Sequence, residues 1–474
     1  MSDYITLFTG ELVQDSALSV GGNGESGGTV DDPLCRDGKG RATLRGTTLA
    51  GALIATARKL YQPLPAKISA KNSGENQSNE MPPRSVWQVF TSHPEEKIHL
   101  PENRQGVGIL QATGAAADGV LFDVETLPRG TRWPFRLAVD MTQQNDKEQN
   151  YASIAAAALL EWQRGRCWIG RAVARGLGWL HLENLQAYRL NTTHLDLWPD
   201  SSLSLPAAID KVAKEVEAIP ANQFVETFQL SPAKTSWYYI EINGRLRVGE
   251  RDNGYGIDGL SVGGHAANQG LVKRDDHYLR SKGQSVDKQN DNFSPDASMV
   301  LTRTLTGELQ PFIPGSALRG PLRHTLSRLL RAKGHDIQDP NKKHSQPTDV
   351  VAQLFGSLTK SAPLLVSDAY LVNNDWQAVW LQHHAEDEFS AGVYESSKFD
   401  RVALIQGEFA WKLVIEVQGI AIAENHLQRL KLALQYGEKA FLPVGGGQWR
   451  GLGWPQWTIE RLGKAPAGED YNYS

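Results

Sequence analysis

The sequence predicts an α+β protein made of two tandem copies of one domain. Two repeats indicate the duplication: ALSVGG at 17–22 returns as GLSVGG at 259–264, and RGLGW at 175–179 returns unchanged at 450–454. Between them, Gly46-Thr47-Thr48-Leu49 matches Gly315-Ser316-Ala317-Leu318, and VWQVF at 86–90 matches VAQLF at 351–355. The repeated unit is long and occurs twice, so the chain is a duplicated domain and not a short-period solenoid.

Each copy predicts the same order of elements. Strand-forming residues open both copies, and a Gly-Ser/Thr turn then starts a helix, seen best in the helical spacing of Leu318, Leu322 and Leu326. A second strand, a variable segment, a third strand, a second helix, a Gly-rich loop and a last strand follow. The predicted strands are 4–13, about 97–100 and 133–139 in the first copy, and 237–247, 363–372 and 409–417 in the second; the second helices are 154–163 and 424–436. This β-α-β-β-α-β order is that of a ferredoxin-like (RRM-like) domain.

The domain boundaries follow from these elements. We expect a first domain at 1–200, a linker with a helix at 201–235, a second domain at 236–463 and a polar tail at 464–474. Residues 65–83 and 272–295 are also polar and cannot bury enough apolar surface to order alone.

Composition narrows the class of protein. The formal net charge of the 474 residues is −4, so any nucleic-acid binding must come from local basic patches. Cys35 and Cys167 are too few for a thiolate zinc site or a disulfide framework, which indicates a reducing cytoplasm and no zinc site. The longest apolar runs are too short to span a bilayer, so we expect no membrane partner.

Two motifs in each copy suit RNA. A Gly-Ser/Thr turn before a helix presents backbone N–H groups, a hydroxyl and the positive end of the helix dipole to a phosphate. For a single copy a plain N-cap is the better explanation, and the Arg-Gly-Leu-Gly-Trp loop in each copy is what favours RNA. The Arg-Gly-Leu-Gly-Trp loop adds charge and close backbone approach; its Trp179 and Trp454 either stack on bases or pack in the core. The RNA-binding candidates from these motifs are Arg45, Gly46, Thr47, Thr48, Arg175, Gly176, Gly315, Ser316, Arg319, Arg323, Arg450 and Gly451.

With Val30-Asp31-Asp32-Pro33 and Ile313-Pro314-Gly315-Ser316, these motifs resemble the RAMP superfamily of CRISPR-associated proteins, and more narrowly the backbone subunits of type III effector complexes. The resemblance covers about 4–462 and implies an RRM-like core with an inserted β-hairpin thumb. The thumbs would lie at 101–125, with Arg104, and at 389–404, with Lys398 and Arg401 as RNA contacts. A double backbone subunit is similar to the fused type III-D variants. The implied partners are guide (CRISPR) RNA, target RNA and other subunits of such a complex.

The resemblance also implies cleavage of target RNA, with Mg²⁺ or another divalent metal, at an aspartate after the first strand. That residue matches Asp31, the predicted metal-binding and catalytic carboxylate, with Asp32 beside it; capping of a turn before Pro33 is the alternative. In the second copy, aligning Arg36 with Arg303 places Ser298 and Met299 opposite the acidic pair. Aligning from the Gly-Gly instead places Asp275 and Asp276 there, as a possible second site.

Other functions are less well supported. The same scaffold without nuclease activity is the main alternative. A guide-processing endoribonuclease would need a histidine near the first helix; none lies at 47–60, and the second half offers only His277 and His324. The cluster of His383 and His384 with the acidic residues after it predicts a solvated loop or a helix end in preference to a metal site.

Overall fold

The computed structural model describes most of both domains. The described residues are 3–21, 30–69, 84–94, 101–109, 116–142, 150–198, 200, 202–226, 236–249, 259–260, 262, 297–338, 349–357, 359–386, 389–390, 392 and 399–474.

The first domain is a five-stranded antiparallel sheet with two main helices on one face. Its strands follow the order β2-β5-β1-β7-β6, and a separate hairpin, β3-β4, projects from it. The strands are β1 (Asp3–Gln14), β2 (Trp87–Val89), β3 (Glu102–Ile109), β4 (Ala116–Thr126), β5 (Arg132–Asp140), β6 (Cys167–Trp168) and β7 (Trp179–Asn191). The helices are α1 (Gly46–Leu60), α2 (Ala66–Ser69) and α3 (Tyr151–Gln163), and 3₁₀ turns lie at Val173–Arg175 and Thr192–His194.

Apolar alternation along the strands places this core between the sheet and the helices. Phe8 and Leu12 of β1 face the same side as Phe135 and Leu137 of β5, and all four are fully buried. The helix α3 is buried along nearly its whole length because Ala155, Ala156 and Ala158 let it lie close to the sheet and to α1.

A short linker connects the domains. It contains α4 (Leu205–Glu215) and α5 (Ala221–Glu226). The helix predicted within the linker at 201–235 is therefore α4, where Pro206 begins the first turn.

The second domain repeats the fold with a larger sheet. Its strands are β8 (Trp237–Val248), β9 (Leu301–Arg303), β10 (Leu309–Ile313), β11 (Leu364–Val366), β12 (Ala369–Leu371), β13 (Gln377–His383), β14 (Phe399–Gln418), β15 (Gln456–Pro466) and β16 (Asn472–Tyr473). The helices are α6 (Gly315–Ala332), α7 (Val350–Phe355) and α8 (Ile420–Glu438), with a 3₁₀ turn at Gln448–Arg450. The order β15-β8-β14 with β11 on β14 matches β7-β1-β5-β2 of the first domain, which confirms the predicted ferredoxin-like fold class.

Two local predictions were wrong. The VWQVF and VAQLF segments are not equivalent, because the first contains β2 and the second forms α7. The structural counterpart of β2 is β11: Val89 pairs with Leu137, and Val366 pairs with Leu413. The single strand predicted at 363–372 is two short strands, β11 and β12, interrupted at Ser367 and Asp368. The predicted strand at 97–100 lies outside the described residues.

Both thumbs are hairpins, built differently. In the first copy β3 and β4 form a hairpin within the predicted 101–125 segment and one residue beyond it. In the second copy β13 pairs with the first half of β14, so the hairpin begins at Gln377, before the predicted 389–404. The 20-residue β14 continues from the thumb into the sheet, whereas Pro128 and Gly130 separate β4 from β5 in the first copy.

The C-terminal residues 464–474, predicted from composition as a tail, are paired in the structure. Asn472 and Tyr473 form a strand on β15, and the backbone carbonyl of Glu469 accepts a hydrogen bond of 2.8 Å from buried Arg166 of the first domain. Arg166 also pairs with buried Glu161, with Nη1 and Oε2 2.9 Å apart. The segment orders because the first domain supplies partners that composition does not reveal.

Candidate RNA-binding surface and cleavage site

The loop that carries Asp31 and Asp32 lies against the first thumb. The Asp32 N–H donates to the Asp123 carbonyl (3.1 Å), and the Glu125 N–H donates to the Asp32 carbonyl (3.0 Å), so the loop extends the edge of β4. The Glu125 carboxylate adds a bond of 2.7 Å from the Leu34 N–H and an ion pair with Arg36. The backbone that presents both aspartates is therefore fixed by the thumb.

The two aspartates have different surroundings. Asp31 is exposed, and its Oδ2 accepts a hydrogen bond of 2.9 Å from the Asp123 N–H. Asp32 forms an ion pair with Arg171, a residue of the Gly-rich loop that the sequence analysis did not single out. Asp31 thus keeps an oxygen available to a ligand, while the charge of Asp32 is used within the protein.

The neighbouring carboxylates bear on metal binding. Asp123 Oδ1 is buried and has no hydrogen-bond partner within the described residues. These residues hold no group of three or more His, Cys, Asp or Glu side chains placed to bind one metal. Mg²⁺ commonly binds through one or two carboxylates together with substrate phosphates, so Asp31 fits a metal shared with RNA and does not form a closed protein site.

The structure sets the register of the second copy. In the first copy Leu18 pairs with Leu127, and three residues before Leu127 the partner strand pairs with Asp32 through Val124. In the second copy Leu260 pairs with Leu404, and three residues before Leu404 the partner strand pairs with Ala297 through Arg401. Ala297 is therefore the counterpart of Asp32. The alignment that put Ser298 and Met299 opposite the acidic pair was wrong by two residues, because it ignored this pairing.

By chain count, the residue at the position of Asp31 is Asp296, directly before Ala297. Asp296 lies outside the described residues, as do Asp275 and Asp276. The sequence does not reveal this match, because the aspartate is the one residue that the segments around Asp31 and Asp296 share.

The Gly-rich loop of the first domain and the first helix of the second domain form one surface. A Cβ added to Gly176 would lie 2.1 Å from Asp368 Oδ1, and one added to Gly315 would lie 2.8 Å from the backbone of Arg175. Gly176 also has φ +108°, which favours glycine. We call the following six residues, all predicted as RNA contacts, the junction cluster: Arg175, Gly176, Gly315, Ser316, Arg319 and Arg323.

The junction cluster concentrates positive charge. Burial, with the charges of Arg323 and Arg175, lowers the pKa of Arg319 to about 10. The Arg319 guanidinium donates to the Phe355 carbonyl, but its buried Nε has no partner in the described part of the chain. Arg175 and Ser316 are exposed beside it. The charges of Arg323 and Arg175 both reach Arg319, so an anion bound among them would be stabilised.

A second positive group, the distal cluster, lies toward the end of the second thumb's strand pair that is farther from the sheet, and consists of Arg401, Arg450, Gly451 and His383. Burial and the charge of Arg450 lower the pKa of Arg401. The Arg450 guanidinium lies 4.5 Å from the Phe399 ring centroid, and His383 stacks on that ring at 4.9 Å. Burial, Arg401 and Arg450 lower the pKa of His383. Lys398 lies outside the described residues.

The first helix start stands apart from both clusters. Arg45 and Thr47 are exposed, Thr48 is partly exposed, and no side chain caps the helix. The Gly46 N–H donates to Thr91 Oγ1 (3.2 Å), the counterpart of the 2.8 Å bond from the Gly315 N–H to Asp368. Exposed Thr47 in the first turn and a nearby arginine keep this helix start available to a phosphate.

Three residues have structural roles. Arg104 is nearly buried and pairs with Asp368, with Nη2 and Oδ2 2.9 Å apart, so its guanidinium joins the first thumb to the second domain. Trp179 is buried between the domains, where its indole N–H donates to the Val173 carbonyl (3.0 Å). Asp37 accepts from Arg41 Nε (2.8 Å), so its carboxylate pairs locally.

Comparison with known proteins gives one finding. A family model, the RAMP superfamily, matches residues 19–181 and again 260–456. The chain belongs to the RAMP superfamily. The two matched regions agree with a tandem RAMP protein, and RAMP domains are typically CRISPR-associated and RNA-binding. Curated proteins give no match. No helix among the described residues combines the length and apolar character that a membrane crossing needs.

Proposed function

We propose that this RAMP protein is a double backbone subunit of a type III CRISPR effector complex, related in design to the type III-D fusions, and that its first domain cuts target RNA. The observation that carries the proposal is Asp31: an exposed carboxylate held by the thumb backbone, beside a Gly-rich loop that supplies arginines. Guide RNA, target RNA and other subunits of such a complex are its partners, and it acts in the cytoplasm.

The guide backbone follows the positive groups. The junction cluster binds a phosphate through Arg175, Arg319 and the Ser316 hydroxyl, and the distal cluster binds another through Arg401 and Arg450. Gly451 is exposed and lets the RNA backbone approach its loop, whereas Gly176 is buried against Asp368. Arg450 and His383 already cover the Phe399 ring, so no base can stack on it. The distal cluster therefore contacts the RNA backbone and not the bases.

The first thumb presents the target strand to Asp31. The free Asp31 oxygen accepts the proton of the 2′-hydroxyl beside the scissile phosphate, and the 2′-oxygen forms a bond to phosphorus. The bond from phosphorus to the 5′-oxygen breaks, leaving a cyclic phosphate and, after protonation, a 5′-hydroxyl. A divalent ion held by Asp31 and the phosphate would neutralise charge on the phosphoryl oxygens.

Target cleavage by the assembled complex with Mg²⁺ tests this proposal. Asp31→Asn keeps an acceptor for the Asp123 N–H but removes the charge, so we expect loss of one product with guide and target binding unchanged. Asp32→Asn is the matched control, since its partner is Arg171. Asp296→Asn and the pair Asp275→Asn/Asp276→Asn test for a second site. Persistence of every product in all variants would contradict cleavage by this chain.

A scaffold without nuclease activity is the second candidate. The observation that favours it is that the described residues form no multi-carboxylate metal site around Asp31. In that case the same variants bind RNA normally and every product persists, because another subunit makes the cuts.

A further inference from the structure

The first domain covers the outer face of the second sheet, the face opposite helices α6 and α8. Its 3₁₀ turn Val173–Arg175 lies against β11 and the start of α6. Trp179, Val173 and Ala174 pack with Leu365 and Val414 in one apolar cluster that also includes Tyr239. The 3₁₀ turn is thus a docking element within the chain.

The second domain carries the same docking element without a partner in the described structure. The turn Gln448–Arg450 is followed by the same Gly-Leu-Gly-Trp sequence, which places Trp449 at the position of Ala174. Trp449 is 98% exposed, whereas Ala174 is packed between the domains. A large aromatic side chain in water at the position of a buried contact indicates a surface that binds a partner.

The free surface has apolar residues at two thumb positions that are charged on the surface used within the chain. In the first thumb, Arg104 pairs with Val124; in the second, Leu381 pairs with Arg401, the counterpart of Val124. Leu381 therefore stands at the position of Arg104, and Val379 stands at that of Glu102. Because this surface has no arginine at the position of Arg104, its partner needs no carboxylate like that of Asp368.

The outer face of the first sheet is covered by the linker. Leu137 of β5 and Leu413 of β14 are equivalent residues. The residues that follow them, Ala138 and Val414, therefore both point to the outer face of their sheets. Val414 packs against the first domain, but Ala138 packs with Ala208, Ile209 and Val212 of α4, in a cluster completed by Leu7, Tyr188, Leu190 and Trp198. Helix α4 thus covers the outer sheet face of the first domain, just as the first domain covers the outer sheet face of the second.

We infer that α4 is a built-in cap, and that the surface around Trp449 docks the uncovered outer sheet face of a RAMP domain in a different chain. A head-to-tail contact that does not close continues into an open row of domains. In this chain the row can extend at Trp449 and ends at the first domain, because α4 already occupies the face where a second copy would add. The partner is a chain of the same fold that lacks such a helix.

Sedimentation of the full chain tests the cap. We expect the wild type to stay monomeric at about 50 µM, because two copies that meet find no open sheet face on which to dock. Ile209→Asp/Val212→Asp should release α4 and produce concentration-dependent association. Adding Trp449→Ala should weaken that association at least about tenfold and return the protein to monomer. Ile422→Ala, which removes another exposed apolar side chain, is the control for Trp449 and should leave association unchanged.

Three results would overturn the inference. They are wild-type association that depends on Trp449, a folded uncapped variant that stays monomeric, and association of the uncapped variant that is insensitive to Trp449→Ala. Native circular dichroism and a cooperative thermal transition establish folding. Where the double substitution prevents folding, Val212→Asp alone gives the same comparison, because Val212 is fully buried in the cluster.

Discussion

Replacing Asp368 should weaken the junction of the two domains more than any other single polar change. Its side chain is fully buried and accepts from Arg104 Nη2 (2.9 Å), the Gly315 N–H (2.8 Å) and the Tyr370 hydroxyl (3.1 Å). Asp368→Ala leaves a buried guanidinium without its carboxylate and two donors without an acceptor. Breaking a buried pair from one side costs about 3 to 5 kcal/mol.

The two copies provide the matched control. The second thumb has Leu381 at the position of Arg104, and the first domain has Thr91 at the position of Asp368, where it still accepts the Gly46 N–H. Arg104→Leu/Asp368→Thr therefore removes both charges and keeps an acceptor for Gly315. We expect it to cost about 1 to 2 kcal/mol, well below Asp368→Ala, because no charge is left unpaired.

Thermal unfolding followed by tryptophan fluorescence and calorimetry measures this difference. For domains of this size, 3 to 5 kcal/mol corresponds to a fall of about 10 °C in the midpoint of the transition that involves the junction. A fall of less than about 2 °C for Asp368→Ala would refute the reasoning, since it would mean that Arg104 is not held in a buried pair.

Three further predictions concern stability. Gly176→Ala should cost about 2 to 3 kcal/mol, because its Cβ would lie 2.1 Å from Asp368 Oδ1, whereas Gly451→Ala, with φ +80° and open space, should cost about 1 kcal/mol by chemical denaturation. The bond to Asp15 raises the pKa of His181 to about 9. Its contribution of about 1 to 2 kcal/mol to folding stability is therefore present below pH 6.5 and lost as pH rises through 9. His181→Gln should reduce that alkaline loss in a pH series of melting midpoints. Burial, Arg429 and Lys360 lower the pKa of His426 to about 4, so its contribution is present above pH 6.5 and lost as pH falls through 4; a second domain that keeps its midpoint at pH 4 would contradict this.

The repeated motifs predicted the fold because they fix backbone geometry. Gly46 and Gly315 start equivalent helices, and the Gly-rich loops end in equivalent strands, so two ferredoxin-like domains followed from local sequence. VWQVF and VAQLF misled because apolar composition alone does not separate a buried strand from a short helix. The predicted thumb in the second copy starts too late, because the turn residues Asn373, Asn374 and Asp375 just before β13 mark its start.

The site was harder to predict, because it depends on contacts between distant segments. Arg104 looked like an RNA contact until the thumb was seen to dock on Asp368, more than two hundred residues later. Likewise, the loop of Arg175 and the helix of Gly315 were assigned to separate copies, yet they meet at the junction. The register that equates Asp32 with Ala297 rests on strand pairing, which the sequence around it does not reveal.

The salt dependence of single-stranded RNA affinity tests most directly that the junction and distal clusters hold the RNA backbone. Each phosphate contact contributes about −0.7 to the slope of log K against log salt. We predict that Arg319→Ala/Arg323→Ala and Arg401→Ala/Arg450→Ala each remove one phosphate contact, make the slope shallower by about 0.7 and weaken binding at least tenfold. Arg328→Ala, an exposed arginine farther along α6, should leave both unchanged. Equal slopes for all three variants and the wild type would contradict the account.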